Sequence, residues 1–150
     1  MSNNTFENEL ARAFARPDVE DLKRIVTVYH EWSCRSDPKD DAWPDELEFW
    51  FGSSEEDPDI GLALIMIAAA TYDEPDFLAV VSAGLLEDLV DSADDEFLDR
   101  VLAEARKTPR FMWLLSGVWT MSAKPHHASA IKKLVGGRSC DDPLPPRTWA

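Results

Sequence analysis

The chain has 150 residues, 45% of them hydrophobic, which is the length of one domain and enough to bury about 70% of the surface an unfolded chain exposes. Its 29 acidic residues against 15 basic ones give a formal net charge of −14, a surface that repels nucleic acid and anionic membranes and attracts basic partners. The longest apolar run, Ile60 to Ala70 with Gly61 inside it, falls well short of the roughly 20 residues a membrane span needs.

Helix signals follow one another along the whole chain. Asn4 or Thr5 can cap a first helix carrying Phe6, Leu10, Ala13 and Phe14 on one face. Pro17-Asp18 restarts the chain, and Val19, Leu22, Ile25, Val26, Tyr29 and Trp32 then keep helical spacing, with Glu20 and Asp21 in a first turn that favours acids. After a loop at Asp37 to Asp41, Pro44 opens a short helix at its first position, burying Leu47, Trp50 and Phe51. Gly52 to Glu56 reads as loop. Asp57-Pro58 then opens the Ile60–Ala70 element, apolar on every side and therefore central.

Asp73-Glu74-Pro75 starts a helix with Phe77, Val80 and Val81, which Gly84 interrupts before Leu85, Leu86, Leu89 and Val90. Ser92-Ala93-Asp94-Asp95 caps a helix with Phe97, Leu98, Val101, Leu102 and Ala105 inward, closed by Lys107 with the right sign for the helix dipole. Pro109 opens the next, and Pro125 opens a last one that ends at Gly136-Gly137. No strand alternation occurs. The expected fold is all-α: about seven or eight short helices packed as helical hairpins in one domain, residues 1–137, followed by a proline-containing tail, 138–150.

Two stretches resemble a known pattern. Gly84-Leu85-Leu86-Glu87-Asp88-Leu89-Val90, and then Pro109-Arg110-Phe111-Met112-Trp113-Leu114-Leu115-Ser116-Gly117-Val118-Trp119, are similar to the G-x-L-E-D-L-L and P-x-F-x-W-x-L-x-G-V-W signature of a family of small bacterial proteins of unknown function. The resemblance spans roughly residues 58 to 119, with a weaker echo at Trp43. It implies no activity.

The charge is uneven. Ten acids lie between Asp37 and Asp59 (Asp37, Asp40, Asp41, Asp45, Glu46, Glu48, Glu55, Glu56, Asp57, Asp59) against Lys39 alone, whereas from Arg100 onward nine bases face three acids. Charge runs are usually solvated faces. Acids beside Trp43 and Trp50 also suit a protein contact, with an aromatic anchor and acids steering a basic partner. The expected partner-binding set is Asp40, Asp41, Trp43, Asp45, Glu46, Trp50, Glu55, Glu56 and Asp57.

No catalytic constellation emerges. Glu87 and Asp88 are neighbours on a helix and point about 100° apart, so they do not converge as an acid–base pair; a structural ion pair with Arg106 or Arg110 is the expected role. His30 and Cys34, four apart, and His126-His127 fall short of the four closely spaced ligands of a structural zinc site. Cys34 with His30 and Glu31 or Asp37 resembles an activated thiol, but acids raise a thiol pKa. No phosphate loop, nucleophile elbow or metal-binding helix motif is present. The sequence thus predicts a non-enzyme without metal or cofactor.

Met1-Ser2-Asn3-Asn4-Thr5-Phe6-Glu7 lacks the basic start and apolar core of a secretory signal, and Cys34 and Cys140 read as free thiols of a reducing compartment, so a cytoplasmic protein is expected. These features converge on an intracellular acidic binding protein for a basic protein partner, such as an immunity protein that neutralises a bacterial toxin. A nucleic-acid mimic inhibiting a DNA-binding complex, and an enzyme with an unrecognised site, remain as alternatives.

Overall fold

The computed structural model describes residues 8–35 and 43–147. The described residues form eight helices and no strand. The first, α1, spans Glu9–Phe14, and the Asn8 side chain caps it by accepting from the Ala11 amide at 2.8 Å. Asn4, Thr5 and Phe6 lie outside the described residues. The expected apolar face is narrow here: Ala13 is buried, while Phe14 is 43% exposed.

Helix α2, Val19–Ser33, buries Leu22, Ile25, Val26 and Tyr29, one stripe at three- and four-residue steps. Helix α3, Asp45–Glu56, is longer than its composition suggests and corrects the expected loop at Gly52 to Glu56. The serine hydroxyls turn back onto their own helix, Ser53 to the Phe49 carbonyl and Ser54 to that of Phe51. The stop comes at Asp57, extended because Pro58 follows it. Pro44 precedes the helix rather than occupying its first turn.

Helix α4, Pro58–Thr71, is the centre of the molecule. Every residue from Gly61 to Ala69 is buried, and it packs against α1, α2, α3 and the two helices that carry Phe77 and Phe111. Helix α5 runs without a break through three abutting pieces: Pro75–Val81, a π-helical stretch Ser82–Leu86, and Glu87–Ser92. Gly84 therefore does not interrupt it. The chain keeps right-handed helical angles across both junctions, and the extra residue is absorbed as a π-bulge. Gly84 faces the Tyr29 hydroxyl, which would lie 3.3 Å from an added Cβ.

Helix α6, Asp95–Lys107, is capped by Asp94, whose side chain accepts from the Phe97 amide at 2.8 Å. Helix α7, Pro109–Ser116, buries six consecutive residues, Arg110 to Leu115. Helix α8, Pro125–Val135, ends at Gly136, whose φ of 61° is left-handed. Beyond it, residues 138–147 hold no helix but lie against the core: the Trp113 indole donates to the Asp142 carbonyl and Arg110 to that of Pro145, each at 2.8 Å. No helix among the described residues is long and apolar enough to cross a membrane.

Candidate functional site

The acids that the sequence groups together divide into two kinds. Several serve the fold. Glu46 pairs with Arg24 at 3.1 Å, Asp57 caps α4 by accepting from the Asp59 amide, and Asp59 lies 2.6 Å from Arg100 and 3.9 Å from Arg12. The others, Asp45, Glu48, Glu55 and Glu56, stand exposed along one side of α3 and pair with no base among the described residues. Asp37, Asp40 and Asp41 lie outside the described residues.

Two of the unpaired acids meet a third from elsewhere. A cleft of about 310 Å³ opens between α3 and α5, lined by Trp43, Glu48, Phe51, Gly52, Ser54, Glu55, Leu85 and Asp88. Gly52 leaves it wide, with no atom within 4 Å of where a Cβ would be. The Asp88 carboxyl is pushed above its ordinary range by partial burial, then by Glu87 and Glu55. Asp91, one turn further, is raised by burial and by Glu87 and Asp88, and its buried Oδ1 has no hydrogen-bond partner. Negative charge is concentrated here, and none of the described residues that line the cleft is a base.

The aromatic anchor is not the one expected. Trp43 sits edge-on to Trp32, with ring centres 4.6 Å apart, and also contacts Tyr29 and Phe51, so much of it is committed to the core edge. Trp50 is half-buried against Phe49. Phe49 itself is 66% exposed, on the same side of α3 as Asp45, Glu48 and Glu56. The sequence carried a signal for this. Phe49-Trp50-Phe51 are three successive rings on a helix, and at 100° per residue they cannot all face one core.

The expected ion pair between Glu87 or Asp88 and Arg106 or Arg110 does not form. Glu87 Oε1 accepts from the Trp119 amide at 2.9 Å, in the loop after α7. Arg110 is buried and bonds the Ala69, Tyr72 and Pro145 carbonyls and the Asp73 carboxylate. Arg106 is exposed and, with Arg138, borders a different cleft of about 350 Å³ floored by Met112 and Trp113. The physical reason is distance along the fold: Pro109 starts α7 beside the C-terminal end of α4, so Arg110 meets the free carbonyls there.

The histidine pairs each gain an acid. Both His126 Nε2 and His127 Nε2 lie on a single oxygen, Asp95 Oδ1, at 2.8 and 2.7 Å. Those hydrogen bonds hold the Asp95 carboxyl down at about 2. His30 and Cys34 are joined by Glu74.

A model of a family described as "Family of unknown function (DUF6869)" matches residues 33–138. No curated protein and no solved structure matches the chain.

Proposed function

Since the chain belongs to this family of unknown function (DUF6869), whose membership carries no activity, we propose from its own residues that it binds a basic protein through the α3–α5 cleft. The observation that carries this reading is the convergence of Glu48, Glu55 and Asp88 on one open cleft that no base among the described residues lines. Like charges held together cost stability, and a partner's lysine or arginine entering between them removes that cost. The cleft borders the half-buried Trp43, against whose ring a cation gains a further contact. Phe49, outside the cleft on the same helix, supplies the apolar anchor that charge steering alone lacks.

Neutralising a basic toxin, as an immunity protein does, is the form of this function we favour. Diffuse acidity accelerates encounter, and the anchor slows release. The reading places the protein inside the cell, where the free thiols of Cys34 and Cys140 stay reduced.

The test compares the wild-type chain with a variant carrying Glu48→Gln, Phe49→Ala, Glu55→Gln and Asp88→Asn as baits in extract of the host cell. A basic protein held by the first and released by the second, with an association rate that falls as salt rises, supports the reading. If it is a toxin, co-expression of the wild type restores growth and the variant does not. Equal capture by both baits, or an association rate indifferent to salt, overturns it.

A further inference from the structure

A second site lies on another part of the molecule, where the C-terminal end of α2 meets the loop before α5. His30 stands in the last turn of α2, and Cys34, four residues on, is the residue that caps the helix, so the two lie one above the other. Glu74, 44 residues from His30 in sequence, is brought to the same point. His30 Nε2 lies 2.6 Å from Glu74 Oε2; Cys34 Sγ lies 3.6 Å from that nitrogen and 3.9 Å from that oxygen. We propose that His30, Cys34 and Glu74 bind a zinc ion, with a water molecule in its fourth position.

The distances fit the ion. Zinc bonds of about 2.3 Å to sulfur and 2.0–2.1 Å to nitrogen or oxygen, arranged tetrahedrally, set the ligand atoms about 3.6 Å (S to N), 3.5 Å (S to O) and 3.3 Å (N to O) apart. The sulfur already stands at 3.6 and 3.9 Å. Only the His30–Glu74 separation must open, from its present hydrogen bond, as the ion replaces the shared proton. Glu74 is exposed before α5 and has the freedom to do this.

Orientation is built in. The His30 ring is stacked on Tyr72 with centres 3.9 Å apart and planes 11° from parallel, and the edge of Phe77 closes on it at 4.9 Å. Its side chain is 20% exposed. The imidazole is therefore held by packing, as a preorganised ligand must be. Thiolate, imidazole and carboxylate together are a zinc donor set, tetrahedral and of mixed softness, unsuited to calcium or magnesium. Cys34 and Glu74 also line a cleft of about 480 Å³, which gives room for the water, and Asp76 on its border adds negative charge that favours a dication.

The other histidine cluster lacks these properties. His126 and His127 share one oxygen of Asp95, and no thiol is near. His127 Nδ1 is buried without a partner. Coordination through Nε2 moves the ring proton onto that nitrogen and leaves a buried, unbonded N–H, which is costly.

The experiment uses the full chain, stripped of metal and reduced, and titrated with Co²⁺ as a spectroscopic substitute and then with Zn²⁺. The expected result is a near-ultraviolet thiolate-to-cobalt band with visible bands of tetrahedral intensity, both removed by stoichiometric Zn²⁺. Cys34→Ser abolishes the near-ultraviolet band, and Glu74→Gln weakens Co²⁺ binding by at least about tenfold. Cys140→Ser and Asp95→Asn leave the spectrum unchanged, and circular dichroism verifies that each variant is folded. No thiolate band, a band that survives Cys34→Ser, or visible bands that vanish only with Asp95→Asn would each overturn the assignment.

Discussion

Arg110 Nη1 lies 3.0 Å from Asp73 Oδ1 while also donating to the carbonyls of Ala69 and Tyr72. One guanidinium, 3% exposed, thus closes the end of the central helix, and its Nε bonds Pro145 in the segment that follows α8. Arg147 reaches the same acid from that segment, at 3.0 Å. Helix α4, helix α7 and residues 138–147 are joined through this one charge.

Arg110→Ala is accordingly expected to cost about 3–5 kcal/mol, because it strands buried carbonyls as well as an ion-pair partner. Arg106→Ala, at an exposed site on α6, should stay within about 0.5 kcal/mol. Urea unfolding of both variants measures the difference. Similar values for the two would show that Arg110 is not the clasp described.

Gly117 is required by a close approach. A Cβ there would sit 2.4 Å from Cys140 Sγ and 2.6 Å from Ser82 Oγ, and Ser82 is fixed by its bond to the Leu114 carbonyl. Gly117→Ala should destabilise by about 1–3 kcal/mol. Gly52→Ala supplies the opposite sign: nothing stands within 4 Å of that Cβ, and alanine inside a helix gains about 0.5–1 kcal/mol over glycine. Chemical denaturation reads both, and a destabilising Gly52→Ala would contradict the open cleft.

Ile65 is fully buried on α4, so Ile65→Ala should cost about 2–5 kcal/mol. Phe49→Ala should change stability by less than about 0.5 kcal/mol, since its ring lies mostly in solvent, yet it should weaken capture of the basic partner. Thermal melts together with the binding assay separate the two residues. A large stability loss at Phe49 would make it a packing residue.

Those contrasts mark where the sequence was legible. Helix α4 could be read because Gly61 to Ala69 is apolar without interruption, and that pattern fits only an enclosed helix. Helix α6 could be read because Asp94 caps one end and Lys107 closes the other. The end of α3 could not: Gly52-Ser53-Ser54 has the composition of a turn, yet the helix runs on to Glu56, where the Asp57 amide still donates to the Ser53 carbonyl, and the serine hydroxyls bond carbonyls of their own helix instead of opening a loop. The site was half legible. Its acids were visible as a charge run, but the meeting of Glu55 with Asp88 depends on how α3 lies against α5, which no local pattern encodes. Arg110 misled for a related reason. Charge sign finds an ion-pair partner, but it does not reveal that the best acceptors are helix-end carbonyls.

The Glu55–Asp88 proximity predicts a pH dependence with a definite sign. Partial burial, then Glu87 and Glu55, raise the Asp88 pKa in the folded chain above its unfolded value of about 3.9. A raised carboxylate pKa means that the folded state prefers the proton. The penalty is therefore fully present above the folded pKa and relieved as pH falls through it; below the unfolded pKa it is gone. Asp88→Asn should raise the melting temperature at pH 7 and leave it unchanged near pH 3, where both forms are neutral. Carboxyl-carbon NMR titration should place the Asp88 midpoint above that of an ordinary aspartate, and Glu55→Gln should move it down. Saturation with a basic partner should move it the same way, because a cation between the two carboxylates favours their charged forms. An Asp88 midpoint that ignores both Glu55→Gln and the bound partner would remove the electrostatic basis for placing the contact in this cleft.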